Sequence, residues 1–246
     1  MSRKTLVAAI VCAVVLITAW AAAQQVMRFD NALRYLQYYT AGMDRFIPGL
    51  RPLQQATNSL LESIERGELV DESLLLLALI YQEQGSFSTA KEVFYEYLNR
   101  NPDCGSIYVL IGDLDYLLGD YDLALQSYVK AMMLGEYARA YYGIGLINSH
   151  QGITADVTSA FAKAVELAPS FVEARIALAK AYIAVEQYQE ARAELETAYL
   201  YAPRNAEIHY FLWQIYSQEG DLNKAKHHGE LAIQYDPSYA PLISGS

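Results

Sequence analysis

The chain has 246 residues, of which 53% are apolar and 19% charged, and its 18 basic and 28 acidic side chains give a formal net charge of −10. So high an apolar fraction excludes a disordered chain, and an acidic chain of pI near 4.9 lacks the basic stripe that nucleic-acid phosphates require. Two cysteines and four histidines cannot build a disulfide framework and leave little for a metal site.

The first predicted element spans residues 1–23. Arg3 and Lys4 precede an apolar run from Leu6 to Ala23 that only Thr18 interrupts, and small residues lead into Gln24 and Gln25. A basic start, an apolar stretch and an A-x-A pattern describe a secretory signal peptide, cleaved after Ala21 or Ala23. The competing reading is an uncleaved anchor, because 19 helical residues reach roughly 28 Å, the depth of a bilayer core. Under either reading the rest of the chain is exported, with the periplasm of a bacterial envelope as the expected compartment and residues 5–23 as the one possible membrane contact. Cys12 lies inside the apolar run, which does not suit a lipoprotein, and Cys104 is then the sole cysteine of a mature chain.

Residues 24–70 read as a helical cap. One helix runs from about Asp30 to Ala41, rich in Tyr35, Tyr38 and Tyr39. A second runs from Pro52 to Gly67 with Leu53, Ala56, Leu60, Leu61 and Ile64 on one face, while Pro48 and Gly49 break the stretch between them.

From residue 71 onward a period governs the chain. Pro169, Pro203 and Pro237 are 34 residues apart, and Pro102 stands two periods before Pro169. Each interval holds two helical patterns and no strand-like alternation, and Gly85, Gly119, Gly152 and Gly220 mark the turn between them. Five units result: 71–104, 105–137, 138–171, 172–205 and 206–239, followed by a tail at 240–246.

The residues inside each unit carry a resemblance. The first reads Leu74, Leu77, Ala78, Tyr81, Ala90, Phe94 and Pro102; the second Tyr108, Ile111, Gly112, Asp115, Ala124, Tyr128 and Glu136; the third Tyr141, Ile144, Gly145, Asn148, Val157, Phe161 and Pro169. The fourth reads Arg175, Leu178, Ala179, Tyr182, Ala191, Leu195 and Pro203; the fifth His209, Leu212, Trp213, Tyr216, Ala225, Gly229 and Pro237. This resembles the tetratricopeptide repeat, W-x2-L-G-x2-Y, then A-x3-F, then P. The resemblance implies an all-α, right-handed solenoid of helix-turn-helix units in which small residues let the two helices approach and large ones fill the gap. Counting back one period places Ala56, Leu60 and Ser63 on second-helix positions, so residues 29–67 read as a degenerate repeat. Asp115 and Asn148 stand where the family has tyrosine. In the fifth unit Trp213 replaces the small residue and Gly229 the aromatic one, a volume exchange across one helix pair. Pro241 leaves no room for a full capping helix, so the last helix is expected to cap itself with a polar outer face.

Chemistry is sparse. Ser88 and Lys91 match S-x-x-K without its companion elements, and Ser88 falls where a second helix begins, which points to capping. His227 and His228 lack metal-site spacing, and no phosphate-binding loop is present. No enzyme, metal or cofactor is expected. The resemblance instead implies a groove lined by first-helix positions 2, 5, 6, 9, 12 and 13. The candidate partner-binding residues are Leu79, Val109, Tyr116, Tyr142, Leu146, Ile176, Lys180, Ile183, Tyr210 and Phe211. Family members that grip the carboxylate tails of chaperones carry lysine, asparagine and arginine there, whereas this chain has Leu75, Leu79, Leu110 and Gly143, so that activity is not carried over. An apolar, tyrosine-rich trough suits an amphipathic helix or an extended apolar segment of another protein, or it is filled by residues 29–66 of the chain itself. The expected function is a non-catalytic adaptor or scaffold in the assembly of a larger complex. The alternative is a self-associating structural subunit of a motility, secretion or organelle-scaffold assembly.

Overall fold

The computed structural model describes residues 51–152 and 154–244. The expected signal or anchor segment and the helix at Asp30 to Ala41 lie outside the described residues. Among those described, every regular element is a helix, and the main ones run 13 or 14 residues, one hairpin arm each. The chain divides into two compact units, with the boundary between Ile107 and Tyr108.

The first unit contains α1 (Pro52–Glu65), α2 (Val70–Glu83), α3 (Phe87–Arg100) and the start of α4 (Gly105–Leu118). Proline at the first position of α1 costs no hydrogen bond, because that N–H would have no partner. Ala56, Leu60 and Ser63 are all fully buried, at the spacing of one helical face, and α1 packs against α2. Leu61 is 40% exposed, contrary to the sequence expectation: one residue past Leu60, it has turned off the buried stripe. Ser88 lies within the first turn of α3 and is not its cap; the N-cap residue is Ser86, whose side chain makes no capping bond. Asp71, in the first turn of α2, pairs with Arg100 at the end of α3, and that hydrogen bond holds the Asp71 carboxyl below its ordinary range.

The second unit continues α4 from Tyr108 and adds α5 (Tyr121–Leu134), α6 (Ala138–His150), α7 (Thr154–Leu167), α8 (Val172–Ala184), α9 (Tyr188–Tyr201), α10 (Ala206–Glu219) and α11 (Leu222–Tyr235). The pairs α6/α7, α8/α9 and α10/α11 are antiparallel hairpins, each resting on the next through α7/α8 and α9/α10. The alanines expected at close approaches, Ala124, Ala191 and Ala225, are buried, and Phe161, Leu195 and Leu212 fill the spaces beside them. Asp115 is buried as well, at 1% exposure.

Turn geometry repeats with the period. Gly85, Gly119 and Gly220 all have φ near +80°, and after each the next N–H reaches back five residues, as in Ser86 to the Tyr81 carbonyl at 2.8 Å. Glu186 occupies the same place in the fourth repeat, with φ 60 and the same bond from Gln187 to the Tyr182 carbonyl at 2.9 Å. The turn is kept although the side chain opposes it.

Two close approaches order the middle of this unit. Tyr128 of α5, 1% exposed, lies between Gly112 of α4 and Gly143 of α6; a Cβ on Gly112 would stand 2.6 Å from its Cε1, and one on Gly143 2.5 Å from its Cε2. Its hydroxyl donates to Asp113 at 2.8 Å, and Arg139 Nε donates to the other Asp113 oxygen at 2.9 Å, so three successive helices meet at one carboxylate. In the last hairpin, a Cβ on Gly229 would meet Trp213 Cδ1 at 3.0 Å, which is the expected volume exchange seen directly. The carboxyl end departs from expectation. After a 3-10 turn at Pro237–Tyr239, a one-turn helix α12 (Ala240–Ser244) follows α11, and its Ile243 faces the Gly229 gap. A proline at the second residue of a helix needs no N–H partner, so Pro241 does not prevent that turn.

Candidate protein-binding face

The ten candidate residues do not form one set. Leu79 lies half-buried on α2 of the first unit, and the other nine belong to the second. Two of the nine correct the sequence reading: Val109 is 5% and Ile176 4% exposed, both within hydrophobic clusters. Each follows directly after a core position of its helix, and the neighbouring hairpin closes over it, so neither side chain offers surface to a partner.

The remaining seven stand half-buried or exposed on the first helices. Tyr116 of α4 tilts against Tyr121 at 5.5 Å between ring centroids. Tyr142 of α6 packs on Phe161 at 5.7 Å and Phe171 at 5.0 Å, under the Arg139 guanidinium 5.9 Å from its ring centre. Burial pushes the Tyr142 hydroxyl above its ordinary pKa. Lys180 of α8 is 52% exposed; its Nζ lies 5.6 Å from the Phe211 ring centre and 3.3 Å from Glu207. Ile183 packs against the cluster beneath α8 and α10. Tyr210 of α10 touches Phe211 at 5.2 Å, Trp213 at 5.5 Å and, from the C-terminal turn, Tyr239 at 4.9 Å.

Leu146 opens onto a cleft of about 220 Å³ between α6, α7 and α8, lined by Val157, Phe161, Ala177, Ala181 and Val185 with Lys180 at its edge. That volume is below the roughly 300–1,000 Å³ of small-molecule sites and fits one apolar side chain. The face is therefore a row of half-covered aromatics and one small apolar recess, with cations held by carboxylates or over rings. It has the chemistry of a surface that buries apolar side chains of a chain laid along it.

Arg139, Phe171, Glu207 and Tyr239 also belong to this face and were not among the candidates. Arg139 and Glu207 occupy the second position of their first helices, one of the groove positions the repeat register marks, so the signal for them was present. Tyr239 arrives from a turn outside the repeat, where no register predicts it.

Sequence profiles described as tetratricopeptide repeat match residues 75–132 and 151–215, so the chain carries tetratricopeptide repeats. No curated protein sequence matches it. Among solved structures it is similar to PilF of Pseudomonas aeruginosa, at 17% identity and TM-score 0.72 over 89% of this chain and 97% of that one. It is similar to PilW, described as a widely conserved type IV pilus biogenesis factor, at 20% identity and TM-score 0.67 over 91% and 99%. A third, YrrB, described as a tetratricopeptide-repeat protein with an unusual peptide-binding site, aligns at 17% identity and TM-score 0.56 over 76% and 96%. At such identities the likeness shows the all-helical repeat fold.

Proposed function

We propose that the protein is a non-catalytic adaptor of a bacterial cell envelope, exported by its first 23 residues and holding a segment of another protein against the first-helix face of its second unit. The observation that carries this reading is the run of partly exposed apolar and aromatic side chains, Tyr142, Leu146, Ile183, Tyr210 and Phe211, beside a recess sized for one side chain. Half-buried aromatics lose little entropy when a partner covers them, and the recess would take an anchor residue. The similarity to PilF and PilW supports a role in assembling an envelope complex, and the similarity to YrrB supports peptide capture. The test is a photo-crosslinking residue at position 180 in the native host, followed by mass spectrometry. A crosslink to another envelope protein is expected; its absence, with the protein exported and folded, refutes the reading.

A second reading, a self-associating structural subunit, has separate support. Met133, Leu200 and Leu222 stand on second helices with 77%, 76% and 73% of their surface exposed. Light scattering distinguishes it, since self-association requires a mass that rises with concentration.

A further inference from the structure

Repeats four and five contain one structural element built twice with different chemistry. In α8, Arg175 Nε donates to the carbonyl of Pro169 at 2.7 Å, and its other nitrogen pairs with Glu194 of α9. In α10, His209 Nε2 donates to the carbonyl of Pro203 at 3.0 Å, and its Nδ1 lies 2.9 Å from Nδ1 of His228 on α11. All three positions are displaced by 34 residues: 175 and 209, 169 and 203, 194 and 228. The same buried clasp from first helix to second is thus an ion pair in one repeat and an imidazole pair in the next.

The two clasps answer acid differently. Because His209 gives its Nε2 proton to Pro203, its Nδ1 is an acceptor, and the proton between the rings belongs to His228. The neutral pair is satisfied. A first added proton goes to His228 Nε2 and charges a ring stacked 5.6 Å from Tyr216 and 5.3 Å from His227. A second, on His209 Nδ1, sets two N–H groups against each other across 2.9 Å. The surroundings do not compensate. From α11 come His227 and Lys224, both of cationic type, and Tyr235, 5.5 Å from His209; from α9 come the edge of Tyr199, also 5.5 Å from His209, and Glu196, which is engaged by the Tyr216 hydroxyl at 2.9 Å. Burial, then the neighbouring His209, His227 and Lys224, push His228 down to about 4, and burial lowers His209 as well.

We propose that the last repeat is an acid-sensitive clasp, in which protonation of the His209–His228 pair releases α11 and the C-terminal turn from α10 at a pH where the preceding repeat, held by Arg175 and Glu194, stays closed. Release uncovers Ile208, Leu212 and Ile215, now fully or almost fully buried, and takes Tyr239 off Tyr210. The contribution is intact above about pH 6.5 and declines as the pH falls toward 4, because the opened chain takes up a proton that the closed repeat refuses.

Hydrogen exchange of the full-length chain, corrected for intrinsic rates, tests this. A single site moving from 6.5 open to about 4 closed multiplies the opening equilibrium by about 20-fold between pH 7 and pH 5. That increase is expected in residues 206–235 and not in 172–201. Equal acceleration in both repeats, or none, overturns the proposal. The double variant His209→Arg/His228→Glu installs the pair of the preceding repeat and should abolish the acid response; a folded variant that keeps it overturns the proposal. If that variant does not fold, NMR titration of the unmodified chain decides: a His228 midpoint below 5 is expected, and one at or above 6.5 overturns the proposal.

Discussion

Gly143→Ala tests how tightly the middle repeats are locked. The new methyl group would lie 2.5 Å from Cε2 of Tyr128, a distance that real Cβ contacts do not occupy, so something must move. The ring cannot retreat, because Gly112 lies on its other side, where the Cβ space is also taken, and its hydroxyl is tied to Asp113 at 2.8 Å. Alanine raises helix propensity at a mid-helix glycine by about 1 kcal/mol. Against that stand overpacking of about 1–3 kcal/mol and, if the ring shifts, loss of a hydrogen bond to a charged acceptor worth about 1.5–3 kcal/mol. The net expectation is a destabilisation of about 1–3 kcal/mol, which in a chain of this size lowers Tm by roughly 3–10 °C. The assay is thermal unfolding by circular dichroism, run as a double-mutant cycle with Tyr128→Leu. In the leucine background the clash is absent, and Gly143→Ala should be neutral or stabilising. If Gly143→Ala alone leaves Tm unchanged or raises it, α6 yields freely and the locked geometry is wrong.

Three further changes examine other points of the argument. Trp213→Ala should cost about 2 kcal/mol for a half-buried indole and Gly229→Phe about 1–3 kcal/mol by overpacking, but the double variant should recover at least about 1 kcal/mol of their sum; additive losses in urea unfolding would contradict the volume exchange. Glu186→Gly relieves a non-glycine residue at φ 60 and should stabilise by about 0.5 kcal/mol after the entropy of the unfolded glycine is counted; a loss of stability would mean that the Glu186 side chain makes a contact outweighing the strain. Asp71→Asn removes an ion pair whose partners are 39% and 52% exposed, so its cost should stay within about 0.5 kcal/mol; more than about 1.5 kcal/mol would give this surface pair a structural role the geometry does not explain.

Much of the fold was legible because a repeat states its own register. Ala56, Leu60 and Ser63, placed by counting back one period, are all fully buried, although α1 matches no motif by itself. The Trp213 and Gly229 exchange was readable because two departures of opposite volume fell on facing positions. The misreadings share a cause of another kind. Leu61 was assigned to the buried face and Ser88 to a cap by residue type, whereas a helix presents residues by angle and caps by its starting residue. The turn after α11 was excluded on the presence of Pro241, yet proline is harmless where the first N–H groups have no partner.

The candidate face was less legible than the fold, and Val109 and Ile176 show why. Groove positions in a repeat array are defined by angle on the first helix, but whether such a position is open depends on how far the next hairpin leans across it. That lean is set by side chains one period away, such as Tyr128 between two glycines. A single unit therefore cannot reveal its own exposed surface. Clasp positions behave in the opposite way: Arg175 and His209 differ in size, charge and titration, yet both reach the carbonyl six residues earlier and both meet the following helix. The backbone period conserves the geometry of the bond while leaving its chemistry free. In this array, departures from the repeat consensus at buried paired positions are consequently the places where one repeat can acquire a response, to acid in this instance, that its neighbour lacks.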